Sequence, residues 1–333
     1  MEIWILSRRV EVQDFLSISG KAIYIYFYIY ICFCADFYYY YIYQAKKENK
    51  MKKIILTLII LLLTFSAFAD GSIINKEDAP VKYFLESELG TVGILYHTIR
   101  IGASGTATDF DFVNQGGQEL LFRFERYNAG LVIADQHKIS FLYQPLEIVT
   151  EVTFKENVVI DGVTFASGTA MELSYGFPFY RITYGYDFFK EENIDLGIGA
   201  ALQLRNASIV FKALDGSAMT VSQNLGPVPA IHLFGRYSFD GGLYLLTDIT
   251  GLYASSALIN GASFNFEGSI LDASLRAGYT LKNNIDLFLN VRFLGGSASG
   301  VSEYPDLHWT DSTEDETANY LATTSLTFGL TIR

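Results

Sequence analysis

The chain has 333 residues, of which 50% are apolar, with a net charge of −12 and only two cysteines. Because an acidic chain repels phosphate backbones, the charge excludes nucleic acid as an expected partner. Both cysteines, Cys32 and Cys34, lie near the start, so disulfides are not expected to hold the rest of the fold.

The first 50 residues contain a run rich in tyrosine and isoleucine, IYIYFYIYICFCADFYYYYIYQ, which ends at Gln44. One interpretation is a transmembrane helix, since a span needs about 20 apolar residues. Asp36 in the middle and the many tyrosines, which favour membrane interfaces, argue against it. A complete export signal follows directly. We therefore interpret 1–50 as translated sequence upstream of the true start and expect it to be unstructured.

Residues 51–69, MKKIILTLIILLLTFSAFA, are typical of a secretory signal peptide. Two lysines precede a long apolar run, and Ala67-Phe68-Ala69 forms the small-x-small cleavage site. The sequence therefore predicts export, with cleavage near Ala69 and a mature chain that begins near Asp70. That mature chain retains 16 basic and 31 acidic residues and no cysteine, and its net charge is −15.

From residue 70 onward, apolar and polar residues alternate, as in IDLFLNVRFL and ILDASLRAGYTL. A period of two indicates β-strands with one apolar face. The apolar runs are too short for a transmembrane helix. The predicted strands are 85–101, 118–134, 138–154, 170–189, 194–212, 228–239, 242–255, 268–282, 284–297 and 318–333.

The connections between these strands alternate in length. Short turns are predicted at 135–137, 190–193, 240–241 and 283, and long polar loops at 102–117, 155–169, 213–227, 256–267 and 298–317. This alternation is typical of outer-membrane β-barrels, whose turns are periplasmic and whose loops are extracellular. A soluble periplasmic sandwich or lipocalin-like barrel would also alternate, with its apolar side chains inside.

Aromatic residues recur beside the predicted turns, where a membrane barrel carries an aromatic girdle. They are Phe141, Tyr143, Tyr186, Phe188, Tyr237, Phe239 and Tyr279.

With these features the chain resembles the small outer-membrane β-barrel proteins of Gram-negative bacteria, those grouped with OmpA-like and OmpW-like barrels. Runs such as FLYQPLEIVTEVTF and YGFPFYRITYGYDF carry the resemblance, which covers the signal peptide and 70–333. It implies an all-β, transmembrane, antiparallel up-and-down barrel of about ten strands in the cell outer membrane. The implied partners are outer-membrane lipid, lipopolysaccharide and the barrel assembly machinery. Such barrels usually end on an aromatic residue, whereas this chain ends on Arg333.

If the apolar positions face lipid, the alternate positions face the lumen. Charges buried there must be paired, so we expect a network that closes the barrel. Its predicted members are Arg123, Glu125, Arg181, Arg205, His232, Arg236, Asp248, Asp272, Arg276 and Arg292. The first pair expected is Arg276 with Asp248, and the second is Arg205 with Asp248 or Asp272. The alternative is a narrow pore, lined by surplus arginine, for small anions or apolar solutes.

Two short acidic patterns suggest a third possibility, a surface protease. Asp109-x-Asp111 in the first loop and Asp306-x-His308 in the last resemble the omptin proteases, ten-stranded barrels in which an Asp pair faces an Asp-His pair. Such a site would activate a water molecule by general-base catalysis. Patterns this short arise readily by chance, and solvated loop carboxylates are the simpler interpretation. No cofactor or metal centre is expected. The function predicted first is a structural or surface-interaction barrel.

Overall fold

The structure is a computed structural model that describes residues 79–103, 105–189, 191, 193–255, 266–281, 285–302 and 315–333. The predicted upstream segment and signal peptide lie outside these ranges. No helix in the described part is long and apolar enough to cross a membrane. The strands are β1 (Val81–Ala103), β2 (Phe110–Asp111), β3 (Leu121–Ile133), β4 (His137–Gln144), β5 (Glu147–Thr153), β6 (Val158–Ile160), β7 (Val163–Phe165), β8 (Ala170–Gly176), β9 (Phe179–Asp187), β10 (Ile194–Ala213), β11 (Met219–Ser238), β12 (Leu243–Ser255), β13 (Phe266–Leu281), β14 (Ile285–Ser302) and β15 (Asp315–Ile332).

These strands close into an antiparallel barrel. Ten of them follow one another around the wall in the order β1, β3, β4, β9, β10, β11, β12, β13, β14 and β15. The first and last strands then pair from Leu85 with Ile332 to Ala103 with Asp315. Closure satisfies the N–H and C=O groups that an open sheet would leave at its edges. The prediction of an all-β up-and-down barrel of about ten strands is confirmed.

The barrel is apolar outside and, over half its length, charged inside. In β9, Phe179, Arg181 and Thr183 are buried, while Tyr180 and Ile182 between them are exposed. The same alternation runs along β10, β13 and β14. A soluble barrel has the inverse arrangement, with apolar side chains filling its interior.

The two ends of the barrel differ. At one, called here the turn end, the connections 134–136, 188–193 and 239–242 are short. The other is called the loop end. There the prediction of a long loop at 213–227 is wrong, because β10 and β11 are joined by only five residues, 214–218. The segment 222–227 contains Ser, Gln, Asn, Gly and Pro, which are typical of loops, although it lies within β11.

The 214–218 turn is held by Asp215, whose carboxylate accepts a 2.9 Å hydrogen bond from the Ser217 amide. Hydrogen bonds from the hydroxyl and the amide of Ser217 keep the pKa of Asp215 below its ordinary value. The charged form of Asp215 is therefore the one that fits this exposed turn.

An apolar cluster, called here the loop-end core, fills the barrel at the loop end. Residues predicted to lie in polar loops belong to it, including Phe110, Phe112 and Phe165, each at most 1% exposed. Asp161 and Gly162 have φ angles of 51° and 70°, as a tight hairpin turn between β6 and β7 requires. The loops at 102–117 and 155–169 therefore fold inward and pack, contrary to the expectation of solvated loops.

Candidate functional site: a charged layer across the lumen

Two carboxylates lie at the centre of the barrel, Glu88 on β1 and Asp272 on β13, and both are 0% exposed. Their strands bring them inward by alternation, since Leu89 and Leu271 beside them face outward. The side chains that surround these two carboxylates come from strands on several sides of the wall. Together they form what is called here the charged layer: Glu86, Glu88, Arg126, Arg181, Asp272, Arg276 and Arg292.

Asp272 binds three guanidinium groups. Its oxygens lie 2.6 Å from Arg292 Nη1, 2.8 Å from Arg181 Nη1 and 3.1 Å from Arg126 Nη1. Arg181 also donates two hydrogen bonds, of 3.0 and 2.7 Å, to Gln203 Oε1. Asp272 thereby joins β3, β9, β13 and β14 across the lumen.

Glu88 binds a second set of donors. Arg276 Nη2 and Arg292 Nη2 lie 3.1 and 3.2 Å from its Oε1. Asn290 Nδ2 and Thr327 Oγ1 donate to its Oε2 at 2.8 and 3.0 Å. Arg292 therefore bridges the two central carboxylates, and the four hydrogen bonds to Glu88 offset the cost of burying its charge.

Arg276 is fixed from two directions. Its two terminal nitrogens donate to Glu86 at 2.6 and 2.9 Å, a bidentate arrangement. Its guanidinium also stacks on the ring of Phe288, 3.6 Å from the centroid. The Phe288 ring packs against Gly329, where an added Cβ would stand 2.1 Å from Cζ of the ring. A glycine is thus required beneath the ring that supports this arginine.

A second group of charges lies toward the turn end. Asp286 accepts a 2.9 Å hydrogen bond from Arg236 and another from Arg333, the last residue of the chain. Lys138 lies 2.7 Å from Asp195 and 3.5 Å from Asp187. The side chain of Arg333 therefore contacts a buried carboxylate at the turn end while 41% of its own surface stays exposed.

Arg123 and Glu125 are not in the lumen, contrary to the prediction. The register pairs Glu88 with Arg126, so Phe124 and Arg126 face inward and the residues between them face outward. Arg123 and Glu125 form an ion pair on the outer face. The error is one of phase, because LFRFERY carries charges at both odd and even positions.

The predicted pairing partners also differ. Arg276 binds Glu86 and Glu88 and not Asp248, whose oxygen lies 3.7 Å from His232 Nε2. Arg205 pairs with neither predicted aspartate; its guanidinium lies 5.9 Å from the centroid of Phe177. Arg181, Arg205, His232, Arg236, Asp248, Asp272, Arg276 and Arg292 all lie on inward-facing positions.

Sequence reasoning missed several members of these clusters, notably Glu86, Glu88, Arg126 and Asp286. The signal for the first two was present, since LESELG places both glutamates on the same face of a predicted strand, between outward leucines. Arg126 was missed through the phase error in β3.

The acidic patterns of the outer loops occupy separate positions. Asp109 is exposed, with its carboxylate 3.3 Å from Arg100. Asp111 accepts hydrogen bonds from the Val113 and Asn114 amides at 2.8 and 3.0 Å, so it organises its own turn. Asp306 and His308 lie outside the described residues. Within the described ranges, no three acidic, His or Cys side chains are grouped as a metal site requires.

No protein-family description and no curated protein matches the chain. Among solved structures, the outer membrane protease OmpT from Escherichia coli is similar at 12% identity and a TM-score of 0.41, over 75% of this chain and 96% of that one. A Pseudomonas aeruginosa FadL homologue gives 8% and 0.33, over 75% and 89%. Neisserial surface protein A gives 13% and 0.26, over 76% and 99%. Likenesses this distant assign no function to the chain.

Proposed function

We propose that the protein is an integral outer-membrane barrel whose lumen is closed by the charged layer, and that its role is structural or one of surface interaction. The observation that carries the proposal is the pair of fully buried carboxylates, each bound by arginines from other strands. Such a layer ties opposite walls together and leaves few polar groups to hydrate a passing solute.

The outer face supports insertion in a membrane. Large apolar side chains point outward around the wall, among them Leu202, Ile231 and Leu275, which are 53%, 52% and 62% exposed. A continuous apolar surface of this kind is unfavourable in water and favourable against lipid. Exposed aromatics gather near the turn end, as a membrane interface favours: Phe141, Tyr186, Phe188, Tyr237, Phe239 and Tyr279.

The loop-end core supports both closure and a surface role. It lies in series with the charged layer, so a solute would have to pass an apolar and an ionic barrier. It also fixes the outer segments, because Asp161 N donates to Ile101 O at 2.7 Å and Thr108 N to Val159 O at 2.9 Å. An ordered outer surface of this kind suits contact with lipopolysaccharide or another cell.

Single-channel conductance of the protein purified from membranes tests the proposal. The unmodified protein should give no discrete steps, once its insertion is confirmed by protease protection. Arg276→Ala should give small steps that favour cations, because Glu86 and Glu88 lose a shared counter-charge. Arg123→Ala, on the outer face, is the matched control and should stay silent.

A narrow anion pore is the second candidate. The charged layer contains four arginines and three carboxylates, and a surplus of positive charge favours anions. Discrete, anion-favouring steps from the unmodified protein would replace the closed barrel with this alternative.

A further inference from the structure

Among the described residues, the pairing between β11 and β12 stops before the loop end of the barrel. The two strands pair from Ser238 with Tyr244 up to Ile231 with Gly251, and no further. Beyond that point β11 continues to Met219 in register with β10, and β12 continues only against β13. Residues 227–230 of β11 and 252–255 of β12 thus lie beyond the last pair without pairing to each other.

Two prolines explain why the pairing stops. Pro227 and Pro229 lie in this stretch, opposite Leu204 and Leu202 of β10. Proline has no N–H to donate, and in sheets it is confined to positions where that group would face an edge. Because the β10 register passes through both prolines unbroken, the missing donors face β12. The two prolines therefore account for the end of the β11–β12 pairing.

A cavity of about 310 Å³ lies directly behind this gap, which is within the range of small-molecule sites. Pro227, Pro229 and Leu252 line it at the wall, and Ile270, Leu294 and Leu321 line it within the barrel. It lies on the loop side of the charged layer, since Gln203, the partner of Arg181, forms part of its lining. Most of the lining is apolar.

Two polar side chains at this cavity, Arg205 and Gln203, have donors without acceptors. In the part of the chain that the structure describes, every other inward arginine has a carboxylate within 3.2 Å, whereas Arg205 has none within ion-pair distance. Arg205 Nε and Gln203 Nε2 are buried without a hydrogen-bond acceptor among the described residues. Gln203 is 1% exposed. Buried donors of this kind normally have an acceptor.

We propose that this cavity binds an amphipathic carboxylate that reaches it from the lipid through the β11–β12 gap. The carboxylate accepts hydrogen bonds from Arg205 and Gln203, and the apolar tail packs against Ile270, Leu294 and Leu321. A carboxylate satisfies a guanidinium better than any neutral acceptor, because the bonds are charge-assisted. The apolar lining selects a hydrocarbon body over a hydrated anion.

Equilibrium dialysis of radiolabelled octanoate against the detergent-purified full protein tests the site, with octanol as the neutral control. Octanoate should bind saturably at one site and about tenfold or more tighter than octanol, as loss of a charged hydrogen bond implies. Arg205→Met should remove this preference, Arg205→Lys should retain part of it, and the outward variant Arg123→Met should leave it unchanged. Equal binding of octanoate and octanol to the unmodified protein would overturn the proposal without reference to any variant.

A cysteine pair tests the route. Pro229→Cys with Tyr253→Cys places thiols on the two sides of the gap, in a chain with no other cysteine after Cys34. Bridging them with a bifunctional maleimide should slow octanoate binding about tenfold or more relative to the unbridged variant, with little change in affinity. An unchanged rate would show that the ligand arrives through the loop end, and would overturn the lateral route while leaving the binding site standing.

Discussion

Replacing Asp272 with asparagine should destabilise the barrel far more than the loss of one charge at the surface. Asp272 is the acceptor for Arg292, Arg181 and Arg126. Arg292 keeps its 3.2 Å contact with Glu88, and Arg126 keeps its 2.7 Å hydrogen bond to Gln144 and an ion pair with Glu88 at 4.0 Å. Arg181 keeps only Gln203, so the substitution leaves one fully buried guanidinium without a carboxylate.

The expected loss of stability follows from this one buried guanidinium, which no longer has a carboxylate partner. Removing one partner of a buried ion pair costs about 3–5 kcal/mol. Since asparagine still offers one acceptor oxygen, the free energy of unfolding should fall by about 3 kcal/mol, the lower end of that range. Asp109→Asn is the control, because its carboxylate is 76% exposed and bound once, by Arg100. That change should cost less than about 1 kcal/mol.

Urea unfolding and refolding in lipid vesicles, followed by fluorescence, measures both values. The variant Asp272→Asn with Arg181→Gln removes the orphaned charge together with its partner, so it should recover part of the loss. The resulting coupling energy should be about 2 kcal/mol, within the range for residues in one network. If Asp272→Asn cost no more than Asp109→Asn, the charged layer would not hold the barrel closed.

Three further predictions concern other parts of the chain. Gly329→Ala places a methyl group against the Phe288 ring that supports Arg276, and should lower the free energy of unfolding by about 1–3 kcal/mol, as overpacking does, in the same urea titration. Gly162→Val puts a branched residue at a φ of 70° and should expose the loop-end core to protease, whereas Gly162→Asn should be tolerated. Amino-terminal sequencing of the exported protein should read Asp70-Gly71-Ser72, and any peptide from 1–50 would contradict the interpretation of that segment.

The strands could be predicted from the sequence because the alternation of apolar and polar residues is a local property of the chain. Alternation alone separates the two faces of the strands IDLFLNVRFL and ILDASLRAGYTL, whatever their neighbours are. Both strands form close to the predicted bounds. The prediction failed where the local pattern is ambiguous. LFRFERY carries charges on both faces, and only the pairing of Glu88 with Arg126 sets its phase.

The partners within the lumen could not be predicted, because they depend on where each side chain sits along the barrel. Arg276 reaches Glu86 and Glu88 on β1, although Asp248 lies on the strand next to its own. The loop-end core was missed for a different reason. VVIDGVTF contains Asp-Gly between two apolar runs, which is a strong hairpin signal within a segment predicted to be a loop.

The hydrogen-bond partners of Glu88 bear on how the barrel assembles. Its acceptor oxygens bind Arg276, Asn290 and Thr327, which follow it by 188, 202 and 239 residues. Until β13, β14 and β15 have joined the barrel, Glu88 on β1 has few of its hydrogen-bond partners. Placing its charge in the bilayer interior is then costly. The full set of hydrogen bonds to Glu88 therefore forms only when β13, β14 and β15 are all in place. A truncated or half-assembled chain therefore leaves the buried carboxylate of Glu88 without several of its hydrogen-bond partners, and closure of the barrel supplies them.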